Sequence, residues 1–277
     1  GKAILQYQLD SYKEAGIKEL VIVVGYEGQA IKEYCKHIKD FEITIIDNIV
    51  YEDTNNMYSL YLAREYLKGK AFILNNADLS VDSALVKNML NDPRENLVAV
   101  DAGLFNDESM KVTLNPESKI IDISKQVTEE LSFGCSIDFY KFSVDSSNIF
   151  FHEIVKIIEE DNNLKDWTEV AMQRLFKSQE LLFEAFDIKG LKWVEIDNYD
   201  DLALSDELFS QKKNSRWFKN VNCIAIDEWH ELLGSKRGVI TELAIARIRN
   251  LSEKTRIWGI SATIGNLEEA AKVLLGD

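Results

Sequence analysis

Proline is almost missing from this chain: Pro93 and Pro116 are the only two in 277 residues. So few prolines leave no Pro-rich linker to mark a domain boundary. Cysteine is as sparse. Cys35, Cys135 and Cys223 are odd in number and widely spaced, which argues against a disulfide framework or a zinc site and fits a reduced, cytoplasmic protein. No apolar run approaches the roughly 20 residues of a membrane span, and no signal peptide opens the sequence. The expectation is a soluble intracellular protein without a membrane partner. The pattern G-x-x-x-x-G-K-[ST] occurs nowhere, so the chain holds no P-loop to cradle β- and γ-phosphates.

Positive charge is short in most of the chain but not at its end. Residues 212–277 carry 11 Lys/Arg against 8 Asp/Glu, leaving 21 against 39 of the totals of 32 and 47 for the rest. The first part thus stands near −18 and the last near +3. A shift of this size suggests two segments with different partners, divided near residues 210 and 211. An acidic first segment argues against non-specific nucleic-acid binding, which needs a positive surface.

Residues 70–82, KAFILNNADLSVD, are the centre of the first segment. Residues 71–74 form a short apolar run of the kind buried on both faces of a parallel sheet. In an open α/β sheet ligands bind beyond the carboxyl ends of the strands, which puts Asp78 at the rim. A carboxylate there suits Mg²⁺, which takes oxygen donors; alternatively Asp78 caps the following helix.

Around this run the periodicity predicts an α/β alternation with a mostly parallel sheet. Helices are expected over 4–15, 30–37, 55–63, 83–90, 151–159, 167–176 and 200–208. Strands are expected over 20–24, 43–46, 97–100, 110–114, 120–124, 137–142, 183–187 and 193–196. Asn55 and Asn56 precede an amphipathic helix, where they either cap it or face a phosphate or base from its N-terminus. The helix-first start suggests that an initial strand is missing.

Five stretches, GKAILQYQLDSYKEAGIKELVIVVGY, TNNMYSLYLARE, ILNNAD, KIIDISKQ and KWVEIDNYDDLALSDEL, together resemble nucleotidylyltransferases of the sugar-phosphate type. The likeness is nearest to the branch that activates small alcohol phosphates such as phosphocholine with CTP. It spans about residues 1–210 and implies an open, Rossmann-like sheet. It also implies attack of a substrate phosphate on the α-phosphorus of the nucleoside triphosphate, with pyrophosphate leaving. Carried over by position, Asp78 and Asp197 would hold Mg²⁺, and Lys125 would approach phosphate as a catalytic group. Asn55, Asn56 and Ser59 would contact the nucleotide. Trp167 and Glu169 would face the acceptor, the ring meeting a quaternary ammonium. Taken alone, Lys125 reads as a solvated surface charge and Trp167 as a helix residue packed on the core.

The family opens on a strand and a Gly-rich loop whose backbone N–H groups cradle the triphosphate. Residues 1–5 align just after that loop, so the expectation is weak nucleotide binding and negligible transfer.

Residues 211–277 resemble something else. DEWHELLGSKRG and IWGISATIGNLEEA, with Asp227-Glu228 and Ser261-Ala262-Thr263 at the ends of apolar strand candidates (residues 222–226 and 256–260), are similar to superfamily 2 DNA helicases of the Lhr type. The likeness implies a piece of a RecA-like lobe. In it Asp227 would hold Mg²⁺, Glu228 would act on the attacking water, and Ser261 and Thr263 would couple ATP hydrolysis to strand movement. Without a P-loop, ATP binding is not expected, and DNA binding is expected to be weak at best. Three functions are therefore open: a nucleotidylyltransferase-like protein, a fragment of an ATP-dependent DNA helicase, and a non-catalytic chimeric protein.

Overall fold

The computed structural model of the chain describes residues 3–196, 201–205, 208, 223–226 and 256–259. The chain divides into two compact units, Gly1–Asp206 and Glu207–Asp277.

The first unit begins with α1 (Ile4–Ala15), which Gly16 ends in a left-handed conformation at φ 85°, a backbone shape that glycine adopts without cost. β1 (Glu19–Val24), α2 (Gly28–Cys35) and β2 (Glu42–Asp47) then make a βαβ unit, its strands parallel from Glu19 opposite Glu42 to Val24 opposite Asp47. After α3 (Asn56–Leu62) and α4 (Arg64–Leu67) come β3 (Phe72–Asn75), β4 (Leu79–Val81) and α5 (Ser83–Asn91). β5 (Leu97–Ala102), β6 (Lys111–Leu114), β7 (Ile120–Ser124) and β8 (Gly134–Phe142) follow. α6 (Val144–Val155) continues as a π-helical turn, Lys156–Glu160. α7 (Thr168–Ser178), β9 (Glu184–Asp187) and β10 (Trp193–Glu195) complete the unit's strands, and residues 201–205 are helical.

Among the described residues the main sheet has six strands. β7, β6, β8, β5 and β9 follow one another, and β3 also pairs with β8. β5 lines one edge of β8 from Gly134 to Lys141, so β3 and β6 share the other edge at its two ends. β3, β5, β6 and β9 run in one direction; β7 and β8 run against them. The sheet is thus rich in co-directional strands, while most of its neighbouring pairs are antiparallel because β8 lies between.

Two apolar layers cover the sheet. In β5, Val98 and Val100 join one cluster with Met57, Tyr140, Phe142, Phe150, Met172 and Phe183; Leu97 and Ala99 join the other with Tyr12, Leu85, Met89 and Phe139. This two-sided burial gives β5 the uninterrupted apolar run of a strand covered on both faces. Phe142 stacks on Phe72 and on Phe150, each with ring centroids 4.7 Å apart, and burying each such ring is worth about 1.5–3 kcal/mol.

Three expectations are corrected. Residues 71–74 do not form a strand buried on both faces: all of β3 is half-buried, because β8 is its one ladder partner among the described residues. The unforeseen strand β4 stands between Asp78 and the helix expected at 83–90, so Asp82 rather than Asp78 caps α5, its carboxylate accepting from the Ala84 N–H. α6 starts seven residues before the expected position 151, at Val144, because the Ser143 hydroxyl caps it by accepting from the Ser146 N–H.

In the second unit β11 (Cys223–Ile226) and β12 (Arg256–Gly259) are parallel, with Ile226 opposite Gly259.

A methyl group on Gly134 would lie 2.3 Å from the Asp101 carbonyl oxygen and 2.8 Å from the Ala102 Cα, backbone atoms that cannot yield. Gly134→Ala is expected to cost about 1–3 kcal/mol, the usual range for overpacking, read as a lowered urea midpoint; an unchanged midpoint would show that β5 and β8 separate freely.

Candidate functional site

Asp78 stands in the short turn between β3 and β4, and α1 fixes that turn from behind. The buried Gln8 side chain donates through Nε2 to the carbonyls of Asn76 (2.9 Å), Ala77 (3.1 Å) and Leu79 (2.8 Å). The Ser11 hydroxyl donates to the Val81 carbonyl at 2.8 Å. β10 runs antiparallel to β4, and the Ile196 N–H reaches the Asp78 carbonyl at 3.0 Å. Asp197, the next residue in sequence, lies outside the described residues. So do Asp227, Glu228, Ser261 and Thr263.

Beside Asp78 a bulge in β8 sets a second acid. Val98 faces Tyr140 and Val100 faces Ser136, so β8 spends four residues where β5 spends two. At the centre is Asp138, at φ 55°, a left-handed conformation that Asp tolerates better than most residues. Its carboxylate accepts from Asn76 Nδ2 at 3.0 Å and from the Tyr140 hydroxyl at 2.9 Å. Asn76, Asp78, Ser109, Ser136, Asp138 and Glu195 face one polar cleft. A larger cavity, of about 360 Å³, lies at the other end of β3 and β8 between Ala71, Arg94 and Lys141; it contains none of the expected site residues.

Glu169 is 3% exposed in the first turn of α7, and its Oε1 lies 2.7 Å from the Tyr140 hydroxyl. One phenol proton cannot serve both Asp138 and Glu169, so a second proton must reside on one of the acids when both contacts are made. The energetics agree. Burial, followed by the charge of Glu169, raises the Asp138 carboxyl to about 7, and burial raises Glu169 as well. Burial also holds the Tyr140 phenol well above its ordinary range, so it stays a donor.

α7 packs along β7. Gln173 Nε2 donates to Asp122 at 2.7 Å and Lys177 pairs with Asp122 at 3.3 Å. Following β7 forward and α7 backward brings Lys125 to Trp167, and the ammonium stands 4.7 Å from the ring centroid. The start of α3 is sewn to the same place. Asn56 Oδ1 accepts from the Thr168 N–H at 2.9 Å, and Asn55 Nδ2 donates to the Lys165 carbonyl at 3.2 Å. Asn55 also caps α3, accepting from the Asn56 N–H at 2.8 Å. The Ser59 hydroxyl accepts from the buried Asn48 at 3.2 Å.

Lys125, Asn55, Asn56, Trp167 and Glu169 therefore meet around the N-terminus of α7. The path Glu169, Tyr140, Asp138, Asn76 carries that site to the turn of Asp78. Trp167 is 44% exposed rather than a core residue. Gln8, Asp138 and Tyr140 were missed from sequence. Gln8 reads as an ordinary polar position of an amphipathic helix, and Asp138 shares the stretch 134–142 with the polar Ser136 and Lys141, so nothing local singles it out. Among the described residues no three His, Cys, Asp or Glu side chains are grouped to hold a metal ion. No described helix is long and apolar enough to cross a membrane.

In the unfolded chain Asp138 ionises near its ordinary value of 3.8, whereas in the fold it keeps its proton to about 7. Its contribution to stability is therefore lost as pH rises from about 4 to 7 and is constant above. Asp138→Asn removes that loss. Between pH 4 and pH 8 the stability difference is expected to shift in favour of the variant by about 1–3 kcal/mol, read by urea denaturation at both values; an equal difference at both would show that Asp138 ionises normally.

A choline-phosphate cytidylyltransferase of Streptococcus pneumoniae is 35% identical over 92 residues, 33% of this chain and 36% of that relative. A CTP:phosphoglutamine cytidylyltransferase of Campylobacter jejuni is 25% identical over 228 residues, 74% of this chain and 88% of that relative. Among solved structures, the CTP:phosphocholine cytidylyltransferase of Streptococcus pneumoniae superposes with a TM-score of 0.57 at 20% identity, covering 75% of this chain and 85% of its own. The inositol-1-phosphate CTP transferase of T. maritima gives 0.60 at 19%, covering 76% and 83%. At such identity these two structures establish the fold alone. The DEAD/DEAH box helicase family matches residues 159–270, and an ATP-dependent DNA helicase Hel308 of Pyrococcus horikoshii is 33% identical over 119 residues, 42% of this chain and 15% of that relative. Cytidylyltransferase homologues and structural neighbours thus cover most of the chain, and DEAD/DEAH box helicases match a shorter stretch of it.

Proposed function

We propose that the first unit carries the acceptor and metal side of a cytidylyltransferase site for a small phosphorylated amino alcohol of the phosphocholine kind. The observation that carries this reading is the continuous path from Asp78 through Asn76, Asp138, Tyr140 and Glu169 to Trp167 and Lys125. An aromatic face beside a buried acid is suited to a quaternary ammonium. A lysine on the same face is suited to the phosphate a few bonds away. Asp78 would hold Mg²⁺ together with Asp197, carboxylates having the hard-oxygen chemistry that this ion requires. The Ile196 N–H on the Asp78 carbonyl supports the pairing, because it brings the backbone one residue before Asp197 to Asp78. When bound, Mg²⁺ would neutralise charge on the transferred phosphoryl group. The nucleotide contacts would come from the region of Asn55, Asn56 and Ser59, with CTP as donor.

The Campylobacter relative's name supplies the cytidylyl donor and the pneumococcal relative's name the phosphocholine acceptor. Isothermal titration of the 277-residue chain with phosphocholine is expected to show saturable binding that weakens about tenfold in Trp167→Ala and in Glu169→Gln, the loss of one cation–π contact or one buried counter-charge. Unaltered binding in both variants would place the acceptor elsewhere. The 277 residues contain no Gly-rich triphosphate loop, so pyrophosphate release from CTP and phosphocholine is expected to stay at background; a rate ordinary for an enzyme would refute that expectation.

The helicase match favours a second reading of the last part. Asp227 would hold Mg²⁺ and Glu228 would act on water beyond the end of β11, with Ser261 and Thr263 beyond β12. The parallel pairing that sets Ile226 opposite Gly259 supports it. With no P-loop in the sequence, DNA-stimulated ATP hydrolysis is not expected; a measurable rate abolished by Glu228→Gln would overturn this.

A further inference from the structure

A lysine in a surface turn ordinarily keeps its ammonium in water. Lys125 instead lies over Trp167, its ammonium 4.7 Å from the ring centroid. Two residues further on is Glu169, buried at 3% exposure, with no ion-pair partner among the described residues. The positive charge that its carboxyl senses is that of Lys125. Lys125 therefore already occupies the place where an aromatic face and a buried acid would attract a cationic ligand. Little holds it there. The residue is exposed in the turn after β7, and its four-carbon stem can leave the ring without moving the strand.

We infer that Lys125 fills the seat of the acceptor's cationic head in the ligand-free protein, and that a zwitterionic phosphorylated amino alcohol displaces it onto the acceptor's own phosphate. The inference rests on the acceptor-side reading above. It assigns Lys125 a task that phosphate contact alone does not: discriminating a zwitterion from a bare cation. Choline must expel the lysine and offers it no new partner. Phosphocholine expels it and supplies one, so the lost cation–π contact is replaced by a charge-assisted hydrogen bond. A site without the lysine would lose that preference from both sides, gaining for the cation and losing for the zwitterion.

The test is a comparison of the full chain with Lys125→Met by isothermal titration, using choline and phosphocholine. Changes of opposite sign are expected: choline binding about three- to tenfold tighter in the variant and phosphocholine binding weaker by at least as much. Changes of the same sign, or choline binding that stays the same, would overturn the displacement. If that result comes with phosphocholine binding that still requires Trp167, the acceptor reading survives and only the role of Lys125 falls. Binding of neither ligand to the wild type would sink both. As a second readout in the ligand-free state, the Trp167 indole N–H resonance, assigned by Trp167→Phe, is expected to shift in Lys125→Met because a charge has left the ring; an unmoved resonance would count against the inference.

Discussion

One hydroxyl group ties the candidate site together. Tyr140 stands between Asp138 on the sheet and Glu169 on α7, and as a single donor it forces two buried acids to share a proton. Such an arrangement is costly, since an unpaired buried charge is among the most destabilising features a fold can hold. It persists because the apolar layer around Tyr140, Phe142, Phe150 and Phe183 fixes the ring and the sheet beneath it. Glu169 is left short of positive charge, and the charge that it senses is the ammonium of Lys125.

The sheet delivers these groups because of β8. This strand takes β5 along one edge and both β3 and β6 along the other, and β7 is reached through β6. β3 leads to Asp78, the β6–β7 hairpin leads to Lys125, and the bulge within β8 itself projects Asp138. A regular β8 would have kept its pairing with β5 in step and left no room for an extra, left-handed residue. Gly134, where even a methyl group would meet the β5 backbone, shows how closely the two strands approach at the other side of that bulge.

Much of the fold was legible in the chain. The apolar runs at 20–24, 43–46 and 97–100 and the helical spacing at 4–15 and 83–90 gave elements within a residue or two of those found. Where the reading went astray, local pattern was overruled by neighbours. β3 has the composition of a doubly covered strand but is half-buried, since coverage depends on what packs alongside. β4 has only three residues and alternates no more than a turn would, and its pairing with β10 some 110 positions away is what makes it a strand. Direction was similar: the co-directional strands were implied by the helices between them, but the insertion of β8 among them was not.

The sequence by itself determined the chemistry available: which acids, amides and aromatic rings exist, the strand-ending position of Asp78, and the change of charge near residue 210. Those are properties of single residues and short windows, fixed by side-chain type and period. Tertiary structure alone decided which of them meet. Asp138 and Glu169, Lys125 and Trp167, and Gln8 and the carbonyls of the Asp78 turn are separated by 31, 42 and about 70 positions, and no local rule connects them. Their encounter follows from the stacking of α1 and α7 on opposite faces of one sheet, where burial raises the energetic weight of every polar contact far above its value in the unfolded chain.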